Sequence, residues 1–267
     1  MANNIYFQLG APTWHPGFFC CYQTVIGFLN RCEADVPAGY KVFFERGLYF
    51  DSTVGPNWWE YYFEPIGSGQ PIKIIEHVSD VEKSAFGTEV ISTMSRGRAA
   101  EIINKYIKVK SHMQNKIDQF IQTNFDHNYT VGIHYRGTDK SSEAPRVPFD
   151  SVRDEIKKHI SDKSSYKIFV ATDENQFINY MRSQFGDRVV YTNAKRSAGN
   201  EPIHHNGGNM VDNRYMLGED AVIDCYLLSK TNIMIRTQSN LSSSAANINP
   251  SLLVIDLNHA HYRVGLR

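Results

Sequence analysis

The chain has 267 residues and a mass of 30.5 kDa, enough for one large domain or two ordinary domains with a buried core. Lys plus Arg and Asp plus Glu each number 28, so the formal net charge is zero and gives no overall attraction to nucleic acid or an anionic membrane. Hydrophobic residues make up 42% and charged residues 21%, which excludes an intrinsically disordered chain. Any anionic ligand is therefore expected to bind at a local site.

The first half alternates short apolar runs with segments of helical period, a pattern typical of βα units. The pattern predicts a strand at 5–9, a helix over 18–31 and a second strand at 42–44. A third strand is predicted at 72–75, after an irregular aromatic stretch. The longest helical pattern runs from 98 to 125 and is predicted to be one helix that closes this half.

The second half repeats this alternation, and the polar stretch 192–213 is predicted to be a long binding loop or lid. Two α/β lobes with parallel sheets, joined near residue 126, fit the whole pattern. Ligands of such sheets bind beyond the carboxyl ends of the strands. The strands are predicted at 129–134, 167–171, 188–191, 232–235 and 252–256, and the helices at 149–160, 175–185, 218–229 and 242–247.

Neither the cysteines nor the hydropathy point to secretion or a membrane. Cys20 and Cys21 are adjacent, and together with Cys32 and Cys225 they show no disulfide framework and no metal-ligand spacing, so we expect reduced, mostly buried thiols. No run of about 18 apolar residues occurs, and the first ten residues do not resemble a signal peptide. We therefore expect no membrane span and a cytoplasmic location.

The densest polar cluster directly follows the first strand of the second half. It contains His134, Arg136, Asp139 and Lys140, and Glu143 comes three residues later. A guanidinium and an ammonium beside a glycine turn could hold a diphosphate, and the carboxylates could act as bases. A charged, solvated turn is the alternative interpretation of these residues.

Residues 131–140, VGIHYRGTDK, are similar to the H-x-R-R-T-D-K motif of the inverting GDP-fucose transferases, the α1,6- and protein-O-fucosyltransferase superfamily. The glycine-rich turn that opens the first lobe of that family is weakly similar to residues 16–23. The resemblance covers most of residues 129–250 and only faintly the first half. Three further blocks follow in the family's order: 168–174 resembles its A-T-D-D strand end, 222–229 its D-I-H-F-L-S helix and 237–240 its T-x-S-S turn.

The resemblance implies a GT-B fold, in which two Rossmann-like lobes with parallel sheets face a central cleft. On this interpretation residues 1–126 form the acceptor-side lobe and residues 127–267 bind the nucleotide sugar. The implied reaction is sugar transfer with inversion, from GDP-fucose to an oligosaccharide or other glycan, with no cofactor and no metal. The chain also contains no Asp-x-Asp triplet, the usual manganese-binding signature of the other large transferase fold.

The same resemblance suggests a role for individual residues. Breaking a sugar–phosphate bond builds negative charge on the departing diphosphate, so a fixed cation there lowers the barrier, and Arg136 is the first candidate. Glu143 and then Asp139 are the candidates for the base that takes the acceptor proton. Asp173 could instead cap the helix that follows it. The other donor-binding candidates are Gly17, His134, Lys140, Asp173, Arg214, Asp224, Gln238, Ser239 and Asn240.

The aromatic stretch 56–65 is predicted to bind the acceptor, because its rings cannot all face one core and exposed aromatic rings stack on sugars. Packing within the lobe or a partner interface is the alternative. His204 and His205 are expected to be surface or acceptor-contact residues, since no ligand ladder accompanies them. The candidate acceptor-binding residues are Trp58, Trp59, Tyr61 and Tyr62.

Through this resemblance the sequence predicts a metal-independent, inverting fucosyltransferase. It departs from the family motif in two places, because Gly137 stands at the second arginine and Glu143 is displaced by one residue from the family's base. One alternative is the same fold with another nucleotide sugar, since Gly137 alters the donor site. The other is a non-catalytic carbohydrate-binding protein on this fold.

Overall fold

The computed structural model describes residues 6–11, 16–35, 39–67, 73–75, 94–126, 128–137, 146–197 and 214–258. The strands are β1 (Tyr6–Gly10), β2 (Gly39–Phe43), β3 (Lys73–Ile75), β4 (Tyr129–Tyr135), β5 (Tyr166–Thr172), β6 (Val189–Val190), β7 (Ile233–Arg236) and β8 (Leu253–Asp256). The helices are α1 (Phe18–Asp35), α2 (Arg96–Tyr106), α3 (Ser111–Asn124), α4 (Phe149–Ile160), α5 (Asn175–Phe185), α6 (Arg214–Ser229) and α7 (Asn240–Ile248). Among these described residues, no helix is both long and apolar enough to cross a membrane.

The strands form two sheets, and every strand pair in them is parallel. The first sheet has the order β2-β1-β3, and the second has the order β6-β5-β4-β7-β8. Parallel strands need crossover connections, and helices supply them here, as in β1-α1-β2 and β4-α4-β5. The prediction of an α/β chain with two parallel sheets is confirmed.

The chain divides into two compact units, and no single position in the sequence separates them. Unit 1 takes the described residues up to Gln114 together with residues 214–219, and unit 2 takes the remaining described residues. The predicted boundary at residue 126 therefore lies inside unit 2. The first turns of α6 belong to unit 1, whereas the rest of that helix belongs to unit 2.

The core of unit 2 forms around β4, which is buried along nearly its whole length. A strand buried on both faces reads as a continuous apolar run, as this one does. One face is covered by α4, whose Val152, Ile156 and Ile160 recur at four-residue steps and are buried. On β4 itself Gly132 permits a close approach, because a Cβ there would lie 2.7 Å from Thr231 Oγ1.

The expectation that the aromatic side chains of 56–65 are exposed is wrong. Residues Trp58–Tyr61 form a 3₁₀ helix with its side chains inside unit 1. The ring of Trp59 stacks on Phe63 at 4.4 Å, and Trp58 stacks on Phe44 at 4.7 Å. The Tyr62 hydroxyl donates to the carbonyl of Tyr215 at 2.8 Å. The rings point in different directions and are still buried, because α1, β2 and the first turn of α6 surround them. The candidates Trp58, Trp59, Tyr61 and Tyr62 are 2%, 0%, 6% and 0% exposed.

The single helix predicted over 98–125 is also wrong, because the chain leaves the helical conformation between α2 and α3. Residue 107 is already extended, and Val109 forms a β-bridge with Phe63. Two backbone hydrogen bonds fix this break, from the Glu64 N–H to the Lys108 carbonyl at 2.8 Å and from the Lys110 N–H to the Tyr62 carbonyl at 2.9 Å. Contacts with a distant segment therefore override the local helical pattern.

The four cysteines are buried, free thiols, which confirms the expectation of reduced core residues. Burial raises the pKa of Cys21 and of Cys225 well above the ordinary value. Both side chains are therefore protonated at neutral pH and behave as small apolar groups.

Candidate functional site

The second sheet brings three of the sequence blocks together at the carboxyl ends of its central strands. In the register of the sheet, His134 of β4 pairs with Ala171 of β5 on one side and with Arg236 of β7 on the other. The segments that leave these strands therefore start side by side. We call residues 134–137, 172–174 and 236–240 the strand-end cluster.

Hydrogen bonds connect the segments of this cluster. The Arg136 N–H donates to Thr237 Oγ1 at 2.9 Å, and the Thr237 N–H donates to the His134 carbonyl at 2.9 Å. On the other side, the Gly137 N–H donates to Asp173 Oδ1 at 3.4 Å. The backbone N–H groups of Arg136 and Gly137 are thus bound by residues that follow the two neighbouring strands. The backbone that carries the half-buried Arg136 side chain is therefore fixed.

His134 is a neutral, buried member of the cluster. Its side chain is 5% exposed, and Nδ1 lies 3.3 Å from the Thr237 carbonyl oxygen. A carbonyl only accepts, so Nδ1 carries the ring proton and Nε2 is left as an acceptor. Burial lowers the pKa of His134 to about 3, and the positive charges of Arg136 and Arg236 act in the same direction. At neutral pH this histidine can offer hydrogen bonds but no charge.

Ser239 begins helix α7 as its N-cap. Its Oγ accepts from the Ser242 N–H at 3.2 Å, and the residue is 5% exposed. The neighbouring Gln238 donates its N–H to Asn258 Oδ1 at 2.9 Å, and Asn240 is exposed at the start of the helix. The resemblance makes Ser239 a donor-binding candidate, and the structure shows its side-chain oxygen in the helix cap. The positive end of the α7 dipole lies at the strand-end cluster.

Asp173 connects loops instead of capping helix α5. The N-cap of α5 is Glu174, which makes no side-chain cap bond. Besides accepting from Gly137, Asp173 accepts the Ser197 N–H at its carbonyl, at 2.8 Å. The alternative in which Asp173 caps the helix is therefore not what the structure has.

Asp224 is buried on α6, and its contacts lie in the segment that follows β6. Its Oδ1 accepts from Thr192 Oγ1 at 2.8 Å, and the residue is 6% exposed. Burial raises the pKa of Asp224 to about 7, although the nearby Arg196 guanidinium opposes this rise. This carboxyl therefore has a buried hydrogen-bond partner, and that partner is a hydroxyl.

This carboxyl gives the protein a predictable pH dependence of stability. Between its ordinary pKa near 3.8 and about 7, the folded state binds more protons at Asp224 than the unfolded state. The contribution of Asp224 to the free energy of unfolding therefore falls as pH rises through this window, by a few kcal/mol at about 1.4 kcal/mol per pKa unit. Asp224→Asn should remove the decline, as measured by urea unfolding from pH 4.5 to 8.

The matched control for this prediction is Asp118→Asn, which changes an exposed carboxyl on α3. It should leave the pH profile of unfolding parallel to that of the wild type. If Asp224→Asn also gives a parallel profile, the buried carboxyl is ionised throughout and the prediction is contradicted.

Several predicted site residues lie outside the part of the chain that the structure describes. These include both base candidates, Glu143 and Asp139, and the phosphate candidate Lys140. His204 and His205 also lie outside it. Their proposed roles stay predictions from the sequence.

Two further candidates belong to unit 1. Gly17 is exposed, and its carbonyl accepts from the Cys20 N–H at 3.0 Å at the start of α1. A Cβ on Gly17 would meet no atom within 4 Å. Arg214 begins α6, and its Nη1 donates to the Phe50 carbonyl at 3.3 Å. Their proposed roles in donor binding stay predictions from the sequence.

Sequence reasoning missed residues that act through the backbone or through distant partners. Thr237 was part of a recognised block but not a candidate, and its hydroxyl fixes the N–H of Arg136. Glu174 is fully buried beside Gly137 and pairs with Arg146. A hydroxyl directly after a buried strand is a signal for the first, but no local signal identifies the second.

The described ranges contain no group of side chains suited to hold a metal ion. Within them, no three or more His, Cys, Asp or Glu side chains are grouped so that they could hold an ion. Within the strand-end cluster as defined, Arg136 and Arg236 are the arginines, and the N-terminus of α7 adds a partial positive charge.

The two α/β units with parallel sheets, together with the likeness to solved structures, identify the fold as GT-B. No protein-family model and no curated protein matches the chain. Solved fucosyltransferases do match. Fucosyltransferase NodZ from Bradyrhizobium superimposes with a TM-score of 0.62 at 17% identity, over 96% of this chain and 96% of that chain. POFUT1 in complex with GDP gives 0.54 at 10% identity, over 95% of this chain and 98% of that one.

A third match has a plant source. A FUT1 variant from Arabidopsis thaliana in complex with GDP gives a TM-score of 0.56 at 10% identity, over 96% of this chain and 71% of that chain. NodZ has also been co-crystallised with GDP, and that structure gives 0.64 at 16% identity over 96% of both chains. At such identities the likeness establishes the fold, which is that of these fucosyltransferases.

Proposed function

We propose that this protein is an inverting glycosyltransferase that transfers fucose from GDP-fucose to a hydroxyl of a glycan, without a metal ion. The observation that carries the proposal is the strand-end cluster, in which three sequence blocks similar to the fucosyltransferase motifs meet around Arg136. In open α/β sheets this is the end at which ligands bind. The likeness to NodZ and POFUT1, both crystallised with GDP, gives the proposal its donor.

The chemistry follows from the charges at the cluster. When the bond between the sugar C1 and the phosphate oxygen breaks, the diphosphate gains negative charge. A guanidinium that is already in place stabilises this charge more in the transition state than in the ground state. Arg136 supplies the guanidinium, and the N-terminus of α7 adds its partial positive charge. This fixed positive charge is the basis for proposing that no metal is required.

The remaining steps concern the acceptor. Its hydroxyl attacks C1 on the face opposite the leaving diphosphate and loses its proton to a carboxylate. Glu143 and Asp139 remain the candidates from the sequence for this base. Neutral His134 can offer its Nε2 as a hydrogen-bond acceptor to the nucleotide, but it cannot neutralise phosphate.

Calorimetric titration tests the donor, first with GDP and then with GDP-fucose, with and without a divalent ion. We expect binding of both that is unchanged by the ion or by a chelator, and slow hydrolysis of GDP-fucose in the absence of an acceptor. Turnover of another nucleotide sugar with no activity on GDP-fucose would overturn the fucose assignment. A protein that binds glycans but no nucleotide would be the carbohydrate-binding alternative.

A further inference from the structure

Gly137 occupies a position that has no room for a side chain. A Cβ built on it would lie 2.2 Å from Glu174 Oε1, 2.7 Å from Glu174 Cδ and 3.0 Å from Tyr135 Cε1. Carbon atoms do not approach a carboxylate so closely. The Glu174 carboxylate therefore occupies the space that any larger residue at 137 would need.

Glu174 is a buried charge with an incomplete set of partners. The residue is 0% exposed, Oε2 accepts from Arg146 Nη2 at 2.6 Å, and Oε1 has no hydrogen-bond partner among the residues that the structure describes. Burial raises the pKa of Glu174, and Arg146 opposes this rise. A buried carboxylate with a single ion pair contributes little or nothing to stability. Its clearest structural effect is to hold the guanidinium of Arg146.

Arg146 is fixed from two directions yet remains accessible. Glu174 binds one of its terminal nitrogens, and its Cζ lies 5.4 Å from the centre of the Phe149 ring. The Arg146 side chain keeps 36% of its surface exposed. The same carboxylate reaches Gly137 and Arg146, so this guanidinium is anchored beside the residue that follows Arg136.

We propose that Arg146 is a second phosphate-binding cation at the strand-end cluster, and that Glu174 is the positioning residue that places it there. The inference rests on the proposed function, because it assigns a further contact to the same nucleoside diphosphate. A guanidinium has five N–H donors in a fixed plane. Glu174 uses one side of this plane, and the donors that remain suit the oxygens of a phosphate. A diphosphate carries more charge than one arginine can pair.

The test compares ligands that differ only in phosphate number. Arg146→Met should weaken GDP binding by roughly tenfold to a hundredfold, the usual range for a hydrogen bond between charged groups. GMP should lose less, and guanosine should bind as it does to the wild type. Calorimetric titration of the three ligands gives all of these values. Arg153→Met is the matched control, because it removes a guanidinium that pairs with Asp150 on α4. It should leave GDP affinity unchanged.

Arg146→Met leaves the Glu174 carboxylate buried without its partner, so the variant could unfold. The double variant Arg146→Met/Glu174→Gln removes both charges, and the same loss of GDP affinity is expected from it. The inference is overturned if this variant binds GDP as the wild type does, or if it loses as much affinity for guanosine as for GDP. The proposed function fails separately, if the wild-type protein binds neither GDP nor GDP-fucose.

Discussion

Replacing Arg136 by alanine is expected to lower the rate of sugar transfer by about a hundredfold or more, the usual cost of removing one preorganised donor from a developing charge. The fold should remain, because Thr237 Oγ1 binds the backbone N–H at 136 and not the side chain. The guanidinium acts mainly on the transition state. The loss should therefore be larger in kcat than in the affinity for GDP. Steady-state kinetics with GDP-fucose and calorimetry with GDP measure the two effects.

Arg182→Ala is the control for this variant, because it removes an exposed arginine from the last turn of α5 in the same unit. Its kinetics should match the wild type. Arg136→Lys keeps the charge but loses bidentate pairing with phosphate, so an intermediate rate is expected. Transfer at nearly the wild-type rate by Arg136→Ala would show that another group stabilises the departing diphosphate.

Elements that depend on local pattern could be predicted from the sequence. Helices α4 and α5 were predicted with the bounds that the structure has. In α4 the four-residue spacing of Val152, Ile156 and Ile160 is by itself enough to define the buried face. The sequence was also sufficient to predict that the three segments of the strand-end cluster lie side by side, because the carboxyl ends of parallel strands lie at the same edge of their sheet.

Elements that depend on distant contacts could not be predicted. The break between α2 and α3 contains no proline or glycine, and it exists because Val109 pairs with Phe63 across a long stretch of chain. The burial of Trp59 has the same origin, since its ring stacks on Tyr22 of α1. A local sequence window contains neither pairing.

In the candidate site, too, the residues of local patterns could be predicted and the distant contacts could not. His134 and Arg136 follow an obvious strand and carry recognisable chemistry. Thr237 lies in a recognised block, but its bond to the Arg136 N–H requires knowledge of which strands are neighbours. The pairing of Arg146 with Glu174 depends on the space left by Gly137, and no sequence pattern indicates that space.

The segment between β7 and α7 is held by a buried network that begins at Asp256, on the last strand. Its Oδ2 accepts from Arg236 Nε at 3.3 Å and lies 3.2 Å from Nη2 of the same guanidinium, and its Oδ1 accepts from the Asn258 N–H at 3.0 Å. Asn258 in turn accepts the Gln238 N–H at 2.9 Å, and Arg236 donates to Ser243 Oγ of α7 at 3.0 Å. The side chains of Arg236 and Asp256 are only 6% and 9% exposed. One carboxylate therefore supports both strand β7 and the start of helix α7.

Asp256→Ala is expected to lower the free energy of unfolding by about 3–5 kcal/mol, because it leaves Arg236 charged, buried and without its carboxylate. It also frees the Asn258 N–H, so the turn that places Gln238 loses part of its support. The affinity for GDP should fall as well, since this turn begins α7. Urea unfolding measures the first effect and calorimetry with GDP the second.

A double variant separates the effect of the ion pair from the effects of packing and of the Asn258 hydrogen bond. Arg236→Met/Asp256→Leu removes both charges and should cost much less than Asp256→Ala, because no buried ion is left without a partner. The exposed Asp187→Ala should stay within about 0.5 kcal/mol of the wild type. If the double variant is as unstable as Asp256→Ala, the loss comes from the Asn258 bond and from packing. In that case the loss of the ion pair between Arg236 and Asp256 is not the cause.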